Sequence, residues 1–201
     1  MIHTTAVGAI LAAWNSTASY IASGHVAEFS GRSKEGLVFR RVKQSLERLS
    51  PGIEVELEVP FDGWEIDLVG SFEAEHVAVE GKFKLRSDGA VPDNRKAAFF
   101  DLYKLEQYIG SGRYSGGLFV WLTEHDAYIR EATGDSADFS THDGRVYQPG
   151  TPLHAKRSRN VMPLPLVLTG RYDFRWQPVS NSKWYVLALD VLPTTGQPGR
   201  K

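Results

Sequence analysis

The chain has 201 residues, of which 42% are hydrophobic and 23% charged, and it carries a formal net charge of −1 and no cysteine. This length and composition predict one soluble globular domain over residues 1–201, since two large domains would need visible linkers. The absence of cysteine excludes disulfides, zinc–thiolate sites and thiol catalysis, and no apolar run reaches the length of a membrane helix.

The N-terminal segment, from about Thr5 to Ile21, is predicted to be a helix that packs on the core. It lacks a basic region before its apolar stretch, and no clear cleavage site follows it, so a signal peptide is disfavoured. Together with the absence of cysteine, this favours a cytoplasmic protein. A secreted protein is the alternative.

A second helix is predicted after Ser33, its expected N-cap, and it should end before the Ser-Pro-Gly stretch at 50–52. Four apolar residues recur along it at helical spacing: Val38, Val42, Leu46 and Leu49. Glu35 lies at the start of this stripe and should face the sheet, where a buried carboxylate needs a partner. The alternative is that Glu35 is simply a favourable negative charge at the helix N-terminus.

Three strands joined by short turns follow the second helix, and the short turns predict that neighbouring strands are antiparallel. The predicted strands are 53–59, 64–70 and 76–85. In the middle strand, alternation places Ile66 and Leu68 on one face and Asp67 on the other. In the third strand, it places Glu80 and Lys82 on the same face. We therefore expect Asp67 and Glu80 to lie next to each other on adjacent strands.

In the second half of the chain, the sequence pattern predicts a helix from Asn94 to about Gly112, a buried strand at 116–123, and then a strand-rich region. Because the helix must carry the chain over to a fourth strand, we predict an α/β fold in which helices flank a mixed central sheet on both sides. Further candidate strands are 145–150, 163–170, 171–178 and 183–191. They predict a β-rich C-terminal extension over about 126–192, followed by a flexible tail at 193–201.

The expected neighbours Asp67 and Glu80 point to metal chemistry. Two carboxylates this close repel each other, and they are stable together only if a cation lies between them or one is protonated. Hard divalent cations such as Mg²⁺ prefer an oxygen-rich setting of this kind. Lys82 could then help to deprotonate a metal-bound water, or stabilise the charge that builds on a phosphate. The alternative is an ordinary ion pair between Glu80 and Lys82 on a solvated strand face.

These residues resemble the PD-(D/E)XK nuclease superfamily, which has the restriction-endonuclease-like fold. The resemblance lies in the order of Glu35 on a helix, Asp67, the run Glu80-Gly81-Lys82, and then a helix and a buried strand. It covers a nuclease-like core of about residues 30–125, with Ile66 where the family's name has proline. It implies a catalytic set of Asp67, Glu80, Lys82 and Glu35. Of these, the three carboxylates would bind Mg²⁺, with Mn²⁺ able to substitute.

The resemblance also implies an assisting residue on the helix after the third strand, either Lys104 or Tyr108. Both share a face of that helix with Asp101, at spacings of three and four residues. The plainer interpretation is a solvated helix face with an Asp101–Lys104 ion pair.

The function that the resemblance implies is metal-dependent hydrolysis of phosphodiester bonds, with double-stranded DNA as the expected substrate. A restriction-type endonuclease is one option, and a mobile-element or repair nuclease is another. Cutting both strands of a duplex generally needs two sites, which predicts a homodimer. The alternatives are a catalytically retired module of this fold that binds nucleic acid or protein, and a hydrolase acting on another phosphorylated substrate.

The charge is unevenly distributed along the chain. Residues 151–201 contain eight Lys/Arg against two Asp, whereas residues 1–150 contain 15 Lys/Arg against 22 Asp/Glu. An acidic part followed by a basic part suits a protein that holds a cation in one place and a polyanion near another. Within the basic part, Lys156, Arg157 and Arg159 are candidate phosphate contacts, and a solvated loop is the alternative.

Overall fold

The computed structural model describes residues 5–31, 33–155 and 165–193, and a six-stranded mixed sheet lies at its centre. The α-helices are α1 (Thr5–Tyr20), α2 (Lys34–Leu49) and α3 (Val91–Gly110). The first four strands are β1 (Glu54–Phe61), β2 (Trp64–Phe72), β3 (Glu75–Lys84) and β4 (Gly116–Thr123). The later strands are β5 (Val146–Tyr147), β6 (Pro152–Leu153), β7 (Leu166–Val167), β8 (Tyr172–Asp173), β9 (Gln177–Pro178) and β10 (Tyr185–Val191). Single helical turns connect several of these elements: 21–25, 26–29, 86–88, 126–128 and 134–136.

The strand order in the main sheet is β1-β2-β3-β4-β10-β9. Strands β1, β2 and β3 form an antiparallel meander, and β4 is parallel to β3 because α3 carries the chain back across the sheet. Helices α1 and α2 pack on one face through one apolar cluster, and α3 packs on the other face through a second. The predicted mixed sheet with helices on both sides is confirmed.

Strand β10 comes from the region predicted as a β-rich extension, and it pairs with β4 along its whole length in the main sheet. The other strands from this region are only two residues long. Of these, β9 pairs with β10 at the edge of the main sheet. The remaining four pair as β5–β8 and β6–β7 and form a layer over α3, where the Phe99 ring contacts the rings of Phe139, Tyr147 and Phe174. Helix α3 is thus enclosed between the sheet and this second layer.

Helix α2 follows the predicted pattern except at its ends. Val38, Val42 and Leu46 are buried, but Leu49, the last residue of the helix, is 51% exposed, so the buried stripe ends one turn earlier than predicted. Ser33 occupies the N-cap position as expected. Its main-chain carbonyl accepts the first hydrogen bond of the helix, from the Leu37 N–H, but its side chain makes no capping hydrogen bond.

The alternation of faces changes in the middle of β1 and β2, at the level of the predicted site. Leu68 packs with α1 and α2, whereas Ile66 packs on the α3 side, so the prediction that they share a face was wrong. Asp67 lies between them, opposite Glu58, whose φ of +55° is in the left-handed region. The left-handed conformation of Glu58 interrupts the regular pleat, which explains why simple alternation fails here.

Candidate active site

Glu80 lies on the face of β3 that α3 covers, and it is only 1% exposed. Both of its carboxylate oxygens accept hydrogen bonds from α3. The Lys104 Nζ donates to Oε2 at 2.7 Å, and the Tyr108 hydroxyl donates to Oε1 at 3.0 Å. The interpretation of this helix face as solvated was therefore wrong, because its polar residues are turned towards the sheet.

Lys82 also points towards α3, where its ammonium group forms an ion pair with Asp101. The other oxygen of Asp101 is 3.0 Å from the Lys104 Nζ, so one carboxylate contacts both lysines. The Asp101–Lys104 pair was foreseen, but its burial and its contact with Lys82 were not. The ion pair of Lys82 is with Asp101 and not with Glu80, which contradicts the idea of a simple pair along the strand.

Asp67 reaches the same region from β2. The main-chain pairing of β2 with β3 extends to Leu68↔Val79, and just beyond this pair the Gly81 N–H donates to the Asp67 Oδ2 at 2.9 Å. Asp67 thereby bonds to the backbone between Glu80 and Lys82. The structure thus brings together Asp67, Glu80 and Lys82, three of the four residues predicted as catalytic.

The carboxylates in this cluster disfavour each other's ionisation. Burial raises the pKa of Asp67 from its usual 3.8 to about 6, against the opposing effect of Lys82, and the charge of Asp101 raises it further. Burial and the nearby charges of Asp101 and Asp67 raise the pKa of Glu80 well above its usual value, although Lys104 opposes this. A bound cation, or a proton on one of the carboxyl groups, would relieve this repulsion.

The lysines stay protonated. Burial by itself would lower the pKa of Lys82, but the carboxylates of Asp101, Glu35 and Asp67 outweigh it and raise the pKa above the usual value. The pKa of Lys104 is raised in the same way, since Asp101 and Glu80 outweigh the effect of burial. Both side chains are therefore cations at neutral pH, and neither is suited to accept a proton from water.

Glu35 lies in the first turn of α2 and faces β3, as predicted. Its Oε1 accepts from the Phe83 N–H at 3.2 Å and from the Lys84 Nζ at 2.7 Å. The Glu35 carboxylate is close enough to Lys82 to raise the pKa of that lysine. The hydrogen bonds of Glu35, however, are made to the next two residues of β3 after Lys82. Metal binding by Glu35 stays a prediction.

The chemistry of the cluster fits a hard divalent cation. Within residues 5–31, 33–155 and 165–193, no three or more His, Cys, Asp or Glu side chains are arranged to hold a metal ion. Mg²⁺, however, commonly uses one or two carboxylates and keeps several waters, a requirement that Asp67 and Glu80 could meet. When all groups are ionised, the carboxylates of Asp67, Glu80 and Asp101 exceed the ammonium groups of Lys82 and Lys104 by one negative charge. Asp67 and Glu80 therefore offer Mg²⁺ oxygen donors of the type that it prefers.

The basic run predicted to contact phosphates falls largely outside the described part of the chain. The residues outside it include all three candidate phosphate contacts, Lys156, Arg157 and Arg159, so the role of these residues stays a prediction.

Comparisons with protein-family models, curated proteins and solved structures found no match to this chain. The resemblance to the nuclease superfamily therefore stays a prediction from the sequence. Among the described residues, no helix is both long and apolar enough to cross a membrane.

Proposed function

We propose that the protein is a metal-dependent nuclease that hydrolyses phosphodiester bonds, with double-stranded DNA as its substrate. One observation carries the proposal: Asp67 and Glu80 approach each other from adjacent strands beside the protonated Lys82. Close, buried carboxylates are unfavourable without a cation, and a lysine beside them can serve a negatively charged substrate. A homodimer and a cytoplasmic location belong to the same proposal.

Asp67 and Glu80 would hold the Mg²⁺ ion through their oxygens. When bound, the ion supplies a water of lowered pKa and shields the charge of the phosphate. The hydrogen bonds from Lys104 and Tyr108 fix the orientation of the Glu80 carboxylate, which limits the reorganisation needed on binding. The Gly81 N–H does the same for Asp67.

Lys82 would stabilise the negative charge that develops on the phosphate oxygens. Its raised pKa supports this electrostatic role over that of a base, because a base must be able to accept a proton. The side chains of Lys82 and Lys104 are each 12% exposed, whereas that of Glu80 is 2% exposed. A phosphate would therefore meet the two ammonium groups at the surface of the cluster, with Glu80 beneath them.

Cleavage assays test the proposal. Supercoiled plasmid, linear duplex, single-stranded DNA and RNA are each incubated with wild type, Asp67→Asn, Glu80→Gln and Lys82→Met, in Mg²⁺, Mn²⁺ or EDTA. We expect duplex DNA to be cut only with metal, and each substitution to lower the rate by about 10²-fold or more, as for other preorganised electrostatic groups. Lys43→Met is the matched control, since Lys43 is a half-exposed lysine of α2 paired only weakly with Glu47.

A second candidate function, a retired module that binds nucleic acid without cutting it, is favoured by a specific observation. Both Glu80 oxygens have internal donors, and Asp101 contacts both lysines, so the network has compensating partners without a metal. If the protein is such a binding module, wild type should bind duplex DNA and should cut none of the four substrates. In calorimetry, it should bind neither Mg²⁺ nor Mn²⁺.

A further inference from the structure

The carboxylate of Asp101 is the shared partner of the two lysines in the site. It is 4% exposed and lies on the sheet-facing side of α3, with Lys82 on one oxygen and Lys104 on the other. A buried carboxylate is strongly unfavourable unless charged partners compensate it. Asp101 is therefore held in place by both lysines, and it holds them in return.

The position of the Lys82 ammonium group depends on Asp101. Two further carboxylates, those of Glu35 and Asp67, are close enough to act on Lys82 electrostatically, but its direct ion pair is with Asp101. Without the Asp101 carboxylate, the ammonium group would turn to one of the other two. Asp67 has its own hydrogen bond to the β3 backbone, so an ammonium group pairing with it would occupy the place proposed for the metal.

We propose that Asp101 is a positioning residue that holds the Lys82 ammonium group away from Asp67, and so keeps that ammonium group out of the place proposed for the metal beside Asp67. This inference depends on the proposed function, because it concerns the same metal site. It assigns no contact with metal or substrate to Asp101 itself. The residue acts mainly through Lys82, so its effect on metal binding should be much smaller once Lys82 is lost.

The test is a double-mutant cycle on Mn²⁺ affinity, measured by isothermal titration calorimetry without nucleic acid. The proteins are wild type, Asp101→Asn, Lys82→Met and the double variant. We expect Asp101→Asn to weaken Mn²⁺ binding about tenfold when Lys82 is present and less than about threefold in the Lys82→Met background. Glu65→Gln is the control for the loss of a nearby charge, since Glu65 is exposed on β2 two residues from Asp67.

An equal loss of affinity in both backgrounds would overturn the inference, because Asp101 would then act as a ligand or as a plain charge. A loss no larger than that of Glu65→Gln would overturn it too. Should Asp101→Asn fail to fold, Asp101→Glu replaces it in the cycle. Its longer side chain keeps the charge but displaces the ammonium group, and the same dependence on Lys82 is expected.

The same four proteins are also unfolded with urea in EDTA, which separates this inference from the proposed function. One outcome is that the effects of the two substitutions on the free energy of unfolding are coupled, while wild type binds no Mn²⁺. This outcome would refute the metal site but would leave Lys82 held by Asp101. An absence of coupling would refute the inference whatever the metal result.

Discussion

Replacing Gly81 by alanine should destabilise the protein, although alanine is normally the better tolerated residue. Gly81 lies between Glu80 and Lys82 on β3 and faces α2, opposite to the site. A Cβ added there would lie 2.8 Å from the Phe39 ring, and 2.9 Å from both the Val120 side chain and the Val120 carbonyl oxygen. The Phe39 ring can turn aside, but the carbonyl belongs to the adjacent strand, so β3 and β4 would have to separate.

Overpacking of this kind typically destabilises a protein by about 1–3 kcal/mol. We expect the upper half of that range, because one of the three contacts is with backbone that cannot relax alone. The Gly81 N–H also donates to Asp67, so a shift of β3 should lengthen this hydrogen bond. If the protein cleaves DNA as proposed, its activity should therefore fall together with its stability.

Urea denaturation followed by circular dichroism measures the effect. Gly8→Ala is the matched control, because Gly8 is exposed in α1 and a Cβ there would have no atom within 4 Å. The control should be stabilised by about 0.5–1 kcal/mol, the ordinary gain of replacing glycine within a helix. If Gly81→Ala were as stable as wild type, the tight approach of β3, β4 and α2 described here would be wrong.

Three further predictions concern the site. Folding raises the pKa of Asp67 from 3.8 to about 6, so the folded protein binds the Asp67 proton more tightly than the unfolded chain does. The stability that this proton contributes is therefore lost as the pH rises from about 4 to about 6. Asp67→Asn should then be more stable than wild type by up to about 3 kcal/mol at pH 7 in EDTA, with no advantage below about pH 4 in urea titrations. Mg²⁺ at about 100 times its Kd should stabilise wild type by about 2.7 kcal/mol in thermal melts, and a shift that persists in Glu80→Gln would place the metal elsewhere. Tyr108→Phe should lower stability by about 1–3 kcal/mol because a buried Glu80 oxygen loses its donor, whereas Tyr103→Phe, on the same helix, should have little effect in the same urea assay.

Much of the fold could be predicted because it depends on local patterns. The 3.6-residue spacing in α2 and the short turns of the meander gave the elements and their order, and both agree with the structure. Alternation failed between Ile66 and Leu68, because the left-handed conformation of Glu58 on the neighbouring strand interrupts the pleat and carries no signal in the sequence. Two-residue strands such as β5 and β6 were predicted too long, because such short pairings depend on distant partners.

By itself, the sequence determined which residues of β3 share a face, because alternation along a strand is a property of the backbone. It also placed Asp101, Lys104 and Tyr108 on one face of α3, since helical spacing does the same. Only the tertiary structure decided that these two faces meet. That contact buries Glu80, gives Lys82 its partner in Asp101, and turns a helix face that appeared solvated into half of the candidate active site. Burial and ion pairing depend on how whole elements pack, and spacing along the chain does not encode them.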